Sequence, residues 1–306
     1  MKYALLLAAA AALTATPVNA QRFDAGKLYA AGYAIKHIEP ATAGTTRMAL
    51  ELLQASAAKG NGEAMVQLGE MVLSGRAPIA RGRDRVAEAV RWWEKSWQYG
   101  ATRGYHDIAL LHFGAEVPGT GGAGANALPR DDAAAFHLFK LAADKGDSKA
   151  RRYVGICYEH GRGVTRDYAM AATYYDPGSF YYANLLMDGR GVARDVPRAL
   201  AIYRENAAHE RGGAEDQYAA ETLARLYAEG KVVHADPAQA LAYEKLAAQY
   251  GSTEAYSRLS GHAEALYDEA LPLLRREHYA QGIPMLIEAA RLGSARARAL
   301  TDELPK

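Results

Sequence analysis

The sequence predicts an all-α protein built as an α-solenoid of stacked antiparallel helix hairpins. Three observations carry that prediction. Alanine and leucine are abundant while β-branched residues are sparse, and apolar residues return at helical spacing. One pattern of small, apolar and glycine residues also recurs along most of the 306-residue chain. Its sharpest trace is "YEHGRGVTRD", starting at Tyr158, which returns as "LMDGRGVARD" 28 residues later, starting at Leu186.

The chain begins with "MKYALLLAAAAALTATPVNA". Lys2 is followed by an apolar run from Tyr3 to about Ala15, and the small residues Val18 and Ala20 stand three and one positions before Gln21. This is the build of a secretory signal over residues 1–20, cleaved at about Ala20/Gln21, and its apolar run is too short to span a bilayer. The expected location of the mature chain is the periplasm or the exterior. No later stretch approaches the roughly 18 apolar residues of a membrane helix, so no integral membrane segment is expected after cleavage.

The repeated units then follow in order. A first unit over 25–60 pairs "AGKLYAAG" with "ALELLQASAAKG", and a second over 61–100 pairs "AMVQLGEMVLSG" with "AVRWWEKSWQYG". A third over 101–146 pairs "GYHDIALLHFG" with "AFHLFKLAADKG". The fourth and fifth, 147–178 and 179–213, carry the two GRGV segments, and a sixth covers 216–251. Together these make a solenoid over 21–262. The remainder, 263–306, reads as one further hairpin, "ALYDEALPLLRREHYAQGIPMLIEAARLG", and a capping helix at "SARARALTDEL".

Residue types explain each unit. Gly161 can end a first helix in the left-handed conformation without Cβ strain. Asp167, Asp195 and Asp236 stand where second helices should start, each able to accept a bond from an orphan helical N–H. Pro197 and Pro237 fall in the first turn after such caps, where proline costs little. Gly69, Gly155 and Ala224 leave room for a partner helix, and Trp92, Trp93, Tyr174, Tyr175, Tyr203 and Tyr243 fill space against neighbouring units. One hairpin has too little core to stand alone, so stacking is required.

Charge and cysteine content narrow the function. The 36 Lys+Arg nearly balance 35 Asp+Glu, and the cations are spread along the chain. Neither a nucleic acid nor an anionic membrane is expected as partner. Cys157 is the only cysteine, so there is no internal disulfide and no cysteine after the leader to take a lipid anchor. Its place in a first helix, between Gly155 and Tyr158, reads as a buried structural thiol.

Candidate chemistry is thin. The GRGV segments could cradle a phosphate through backbone N–H groups, yet they join two helices where phosphate loops lead from a strand into a helix, so they read as structural turns with Val164 and Val192 plugging the hairpin core. "GTGGAG", Gly119 to Gly124, reads as a flexible loop insertion on the same grounds. The histidines His37, His106, His112, His137, His160, His209, His234, His262 and His278 form no HExxH pattern or metal-ligand cluster. No G-x-S-x-G element is present, and the spacing of carboxylates selects no catalytic pair. We therefore assign no catalytic, cofactor-binding or metal residue, and expect no cofactor.

Two departures from the repeat spacing matter more. After Tyr175 the chain runs straight through "DPGSFYY", so about eight residues of a helix and its turn are missing. In the third unit, "GAEVPGTGGAGANALPR" from Gly114 to Arg130 lengthens the loop between helices. The first departure crowds aromatics. Tyr and Phe at packing positions are usually core, but exposed tyrosines beside turn arginines favour partner binding. Arg162, Arg190, Tyr174, Tyr175, Phe180, Tyr181 and Tyr182 are accordingly the candidate contacts for a protein partner or peptide segment.

These quoted segments resemble Sel1-like repeats, helix hairpins related to tetratricopeptide repeats, over about residues 25 to 260; the closing hairpin is closer to a plain tetratricopeptide unit. The resemblance implies a right-handed superhelix and a non-enzymatic scaffold or adaptor of the bacterial cell envelope, in exopolysaccharide secretion or envelope assembly. Two alternatives stand beside it: a cell-wall or β-lactam hydrolase on the same scaffold, and a secreted effector that binds host proteins. Some secreted Sel1-like proteins linked to β-lactams carry paired cysteines, which this chain lacks, so that activity is not carried over.

Overall fold

Helix starts and stops follow the polar punctuation of the sequence. The computed structural model describes residues 23–38, 41–118, 120, 128–209, 213–276 and 278–302. The signal segment 1–20 and all of "GTGGAG" but Thr120 lie outside the described residues. Among the described residues there are fifteen α-helices and no strand, and consecutive helices pair as hairpins. They fall into two compact units, one ending at Tyr175 and one beginning at Asp176.

The N-terminal unit holds four hairpins. These are α1 (Ala25–Lys36) with α2 (Ala43–Ala58), α3 (Gly62–Leu73) with α4 (Arg85–Gln98), α5 (Arg103–Phe113) with α6 (Asp132–Asp144), and α7 (Ser148–His160) with α8 (Tyr168–Tyr174). The C-terminal unit holds α9 (Phe180–Asp188) with α10 (Val196–Ala207), α11 (Ala214–Glu229) with α12 (Pro237–Gln249), and α13 (Thr253–Arg275) with α14 (Tyr279–Leu292). A last helix, α15 (Ala295–Asp302), packs on α14.

Aspartates open the second helices from α4 to α12. Asp84, Asp131, Asp167, Asp195 and Asp236 accept backbone N–H bonds from Ala87, Ala134, Met170, Arg198 and Gln239 respectively. Each satisfies a donor that the first turn of a helix leaves without a partner. In the two GRGV turns the backbone is nearly superimposable in its dihedrals. Gly161 and Gly163 have φ of 69° and 70°, and Gly189 and Gly191 have 69° and 68°, a region that costs L-residues strain. The Asp167 N–H then returns to the Tyr158 carbonyl and the Asp195 N–H to the Leu186 carbonyl, closing both turns onto their first helices.

Close approach within a hairpin uses the small residues. A Cβ on Gly69 would collide with the Trp93 indole, and one on Gly155 with the Tyr175 ring. Trp93 also donates its indole N–H to the Val66 carbonyl at 3.2 Å, so the largest core side chain leaves no buried donor unmet. The core of the N-terminal unit runs through Met65, Leu68, Trp93, Leu110, Phe139, Val154 and the buried thiol of Cys157. Burial pushes that thiol up to about 12, which keeps it protonated and unreactive near neutrality. In the C-terminal unit Leu186, Tyr203, Leu223 and Ala247 form the corresponding core. No helix among the described residues is long and apolar enough to cross a membrane.

The interruption at "DPGSFYY" has a plain structural form. Helix α8 is seven residues long, and only residues 175–179 separate it from α9. Asp176 accepts the Gly178 N–H at 2.8 Å and Ser179 caps α9 through the Tyr182 N–H, so the short link is held by its own side chains.

Candidate functional site

The seven residues singled out from the sequence fall in two groups, one in each unit. In the N-terminal unit, Arg162 is committed to the preceding hairpin. Its guanidinium lies 3.2 Å from the centroid of the Phe113 ring, pairs with both oxygens of Asp132, and donates to the Phe113 carbonyl at 2.9 Å. Asp132 is also bound by Arg130, and the bonds from Arg130 and Arg162 hold its carboxyl down at about 2. Tyr174 is half-buried and stacks on Tyr158 with centroids 5.7 Å apart. Tyr175 is buried in the core, its hydroxyl donating to Glu159 at 2.7 Å. The N–H of Arg162 bonds the Cys157 carbonyl, so the turn backbone is used within the hairpin.

In the C-terminal unit the aromatics lie nearer to water. Phe180, Tyr181 and Tyr182 are each half-buried. Phe180 meets Tyr181 edge-on at 5.8 Å and reaches Tyr218 of α11 at 5.7 Å, and Tyr218 is exposed. Tyr182 lies under the Arg198 guanidinium. Arg190 pairs with Asp188 of its own hairpin at 3.0 Å.

Tyr218 marks the edge of a surface that the sequence did not single out. One face of α11 carries Tyr218, Glu221, Thr222, Arg225 and Ala228, spaced three and four residues apart. Below it opens a groove of about 540 Å³, lined by Glu221, Thr222, Ala224, Arg225 and Ala228 of α11, Ala240 and Glu244 of α12, and Glu254 and Arg258 of α13. Alanines line it in part, and carboxylates and guanidinia stand around them. Arg258 bridges Glu244 and Glu254, donating to Glu254 at 2.6 Å, while Glu221 accepts from the Gln217 amide at 3.0 Å. The result is a concave surface, more apolar than polar in its lining, on which a chain segment can lie against small residues and exchange its own charged groups with the wall. These residues were missed because charges at helical spacing look like any solvated helix face. The available signal was the alanine set at positions 224, 228 and 240, too small to fill the space between helices.

A further set of charged groups is buried on the first helices of the N-terminal unit: Lys36 of α1, Glu70 of α3, and Asp107 of α5 beside His106. Among the described residues no group of three or more His, Cys, Asp or Glu side chains is placed to hold a metal ion.

Comparison with known proteins fits this architecture. The model of the Sel1 repeat matches residues 62–96, 121–147, 148–179, 177–207 and 218–252, together just over half of the chain. The chain belongs to the Sel1-repeat family. Sel1-repeat proteins are in general protein-interaction scaffolds and not enzymes. Among solved structures it is similar to a Sel1-repeat protein from Oxalobacter formigenes, with a TM-score of 0.57 and 21% identity over 76% of this chain and 87% of that one. It is also similar to a protective antigen of uropathogenic Escherichia coli with an SLR fold, with a TM-score of 0.56 and 22% identity over 92% and 66% of the two chains. At these identities the likeness shows the fold alone. Among curated proteins, the DAP3-binding cell death enhancer 1 of Mus musculus is 32% identical over 176 residues, which are 55% of this chain and 32% of that protein. Its Rattus norvegicus counterpart is 56% identical over 41 residues, 13% of this chain and 8% of that protein. The aligned stretches thus span a third or less of the length of these relatives.

Proposed function

We propose that this Sel1-repeat protein is a non-enzymatic adaptor of the bacterial cell envelope that holds a segment of a partner protein. The observation that carries this reading is the C-terminal groove, whose alanines and ringed Glu and Arg side chains suit an extended or helical segment better than a small reacting substrate. Tyr218, with Phe180 and Tyr181 beyond it, adds aromatic contact area at low entropic cost. Arg190 and Tyr182 flank these residues on the same hairpin, whereas Arg162, Tyr174 and Tyr175 contribute by holding the N-terminal stack in shape. The mammalian relatives are named for binding DAP3.

The leader-like first 20 residues support delivery to the periplasm, and envelope assembly or exopolysaccharide secretion is the setting we favour. Fractionation followed by N-terminal sequencing checks delivery: a periplasmic chain beginning at Gln21 is expected, and a cytoplasmic chain that keeps Met1 contradicts it. For binding, the full chain is used to select peptides from a random display library. The selected peptides should lose about tenfold or more in affinity for Ala228→Trp, which fills the groove. Peptides that bind this variant as tightly as the parent chain would overturn the assignment of the groove.

A further inference from the structure

The first helices of the N-terminal unit carry a polar network that the groove does not explain. Lys36, buried at the end of α1, donates to the Glu70 carboxylate and the Gln67 amide oxygen, both on α3. The other Glu70 oxygen pairs with Arg103 of α5 at 2.7 Å. Arg103 Nε stands 3.8 Å from Asp107 Oδ2, one turn further along α5, and His106 Nδ1 stands 3.5 Å from Asp107 Oδ1. Asp107 is 0% exposed, yet neither of its carboxylate oxygens receives a hydrogen bond. A buried carboxylate in that condition is short of a donor.

The face above Asp107 is short of cations as well. Glu70 of α3, Asp107 of α5 and Asp147, which caps the start of α7, each act electrostatically on Glu63 of α3. Among the cations near these carboxylates are Lys36 and Arg103, and Arg76 lies close enough to act on Lys36. Lys36 is buried, and its burial pulls its ammonium below the usual lysine range in spite of Glu70. Arg103, with a side chain 30% exposed, is the cation that reaches the surface. The rim is aromatic: Tyr29 and Tyr33 of α1 have ring centroids 5.7 Å apart, and Tyr33 is 41% exposed. The Tyr29 phenol is raised above its ordinary range by desolvation and then by Glu63, which places that ring beside the carboxylates. Carboxylates next to the faces of tyrosines are the chemistry that recognises ammonium and guanidinium groups.

We propose that this face docks a lysine- or arginine-bearing segment of a partner protein, the incoming cation completing a network that Arg103 alone leaves short. The proposal rests on the adaptor reading in taking a protein segment as the ligand, and it uses a surface separate from the groove. The cation pairs with exposed Glu63 and acts on buried Glu70 through its field alone. Arg103, relieved of part of its load, then has only the 3.8 Å gap to close to hydrogen-bond Asp107. Titratable and charged groups facing Asp107 are Glu63 and Glu70 from α3 and Arg103 and His106 from its own helix, with Lys36 behind Glu70 and Asp147, the cap of α7, acting on Glu63. Burial holds the Asp107 carboxyl above the usual range, so ionisation of Asp107 and binding of a cation favour each other, and affinity rises as pH rises through that titration.

The experiment uses the full chain and two fluorescein-labelled peptides, one alternating glycine with arginine and one alternating glycine with glutamate, read by fluorescence anisotropy. The arginine peptide is expected to bind saturably and the glutamate peptide not to bind. Glu63→Gln and Asp107→Asn should each weaken binding by about fivefold or more, while Ala228→Trp leaves it unchanged. Glu63 is exposed and its variant should fold normally; circular dichroism checks the Asp107→Asn chain. The proposal is overturned if neither peptide binds, if both bind alike, or if both variants at this face keep the parent affinity. A failure of the groove assignment leaves this titration untouched, since that assignment is read from the selected peptides and Ala228→Trp.

Discussion

The turn from Gly161 to Asp167 and the turn from Gly189 to Asp195 share a pair of left-handed glycines, a return bond from Asp to the first helix, and a valine packed inward. Their arginines differ. Arg162 lies flat on Phe113 and grips both oxygens of Asp132, so it fastens its hairpin to the hairpin before it. Arg190 pairs with Asp188, two residues away in its own hairpin. The shared motif thus comes with an arginine clamp onto Phe113 and Asp132 in the first turn and with an ion pair inside the hairpin in the second. The joint made by the clamp depends on what the neighbour supplies, and Phe113 and Asp132 lie outside the motif. A division also separates shape from binding in this protein: turns hold the stack, and the faces of first helices are left to meet partners.

The largest effect should come from the glycine that makes the joint possible. Gly163 sits so close to the Asp132 carbonyl that any Cβ would collide with it, and its φ is also positive. Gly163→Ala should cost about 3 kcal/mol or more by adding overpacking to backbone strain, whereas Gly191→Ala should cost about 1 kcal/mol if strain alone operates. Urea unfolding followed by circular dichroism distinguishes the two; equal costs would erase the contrast between the turns.

Next comes overpacking inside a hairpin. Gly155→Ala presses on the Tyr175 ring and should cost about 1–3 kcal/mol. The corresponding position in the next hairpin is already Ala183, buried without such a clash, so alanine is tolerated there by design of the local packing. A Gly155→Ala chain as stable as the parent would show that Tyr175 shifts freely.

Removing the arginines tests the joint itself. Arg162→Ala should cost about 2 kcal/mol through the lost ring contact and charge-assisted bonds, and Arg190→Ala about 1 kcal/mol or less. Acid adds a smaller, separable signature. Asp132 is held at about 2 by Arg130 and Arg162, below its unfolded value of roughly 4. A depressed carboxyl contributes stability above the unfolded value and loses it as pH falls through the folded one. Stability should accordingly decline between about pH 4 and 2, less steeply in Arg162→Ala and unchanged in slope in Arg190→Ala. Identical slopes in all three chains would detach Arg162 from Asp132.

Much of this molecule was legible as local chemistry. The aspartate caps, the left-handed glycines, the shortened α8 and the inward thiol of Cys157 each depend on neighbours within a few residues. Tyr175 shows where reading fell short. In sequence Gly155 offers room for a partner and Tyr175 is one of a crowd of aromatics, but only the folded hairpin shows that the second fills the first. The Arg162–Asp132 pair spans 30 residues and Lys36–Glu70 spans 34, so neither pairing has a local trace. Lys36, Glu70 and Asp107 look like surface charges in sequence because nothing in the pattern of a first helix says which polar residue will be covered by the next hairpin. The groove was hidden for the converse reason, since its Glu and Arg residues follow ordinary helix-face spacing.

The division between turns and faces can be tested directly by site-specific photo-cross-linking in cells that make the protein. A photoreactive phenylalanine analogue is placed at Thr222 in the groove or at Thr165 and Ala193 in the two GRGV turns, all three side chains lying away from the core. The account predicts a discrete protein adduct from Thr222 that disappears in the Ala228→Trp chain, with no adduct from either turn. Adducts from Thr165 or Ala193, with none from Thr222, would contradict it.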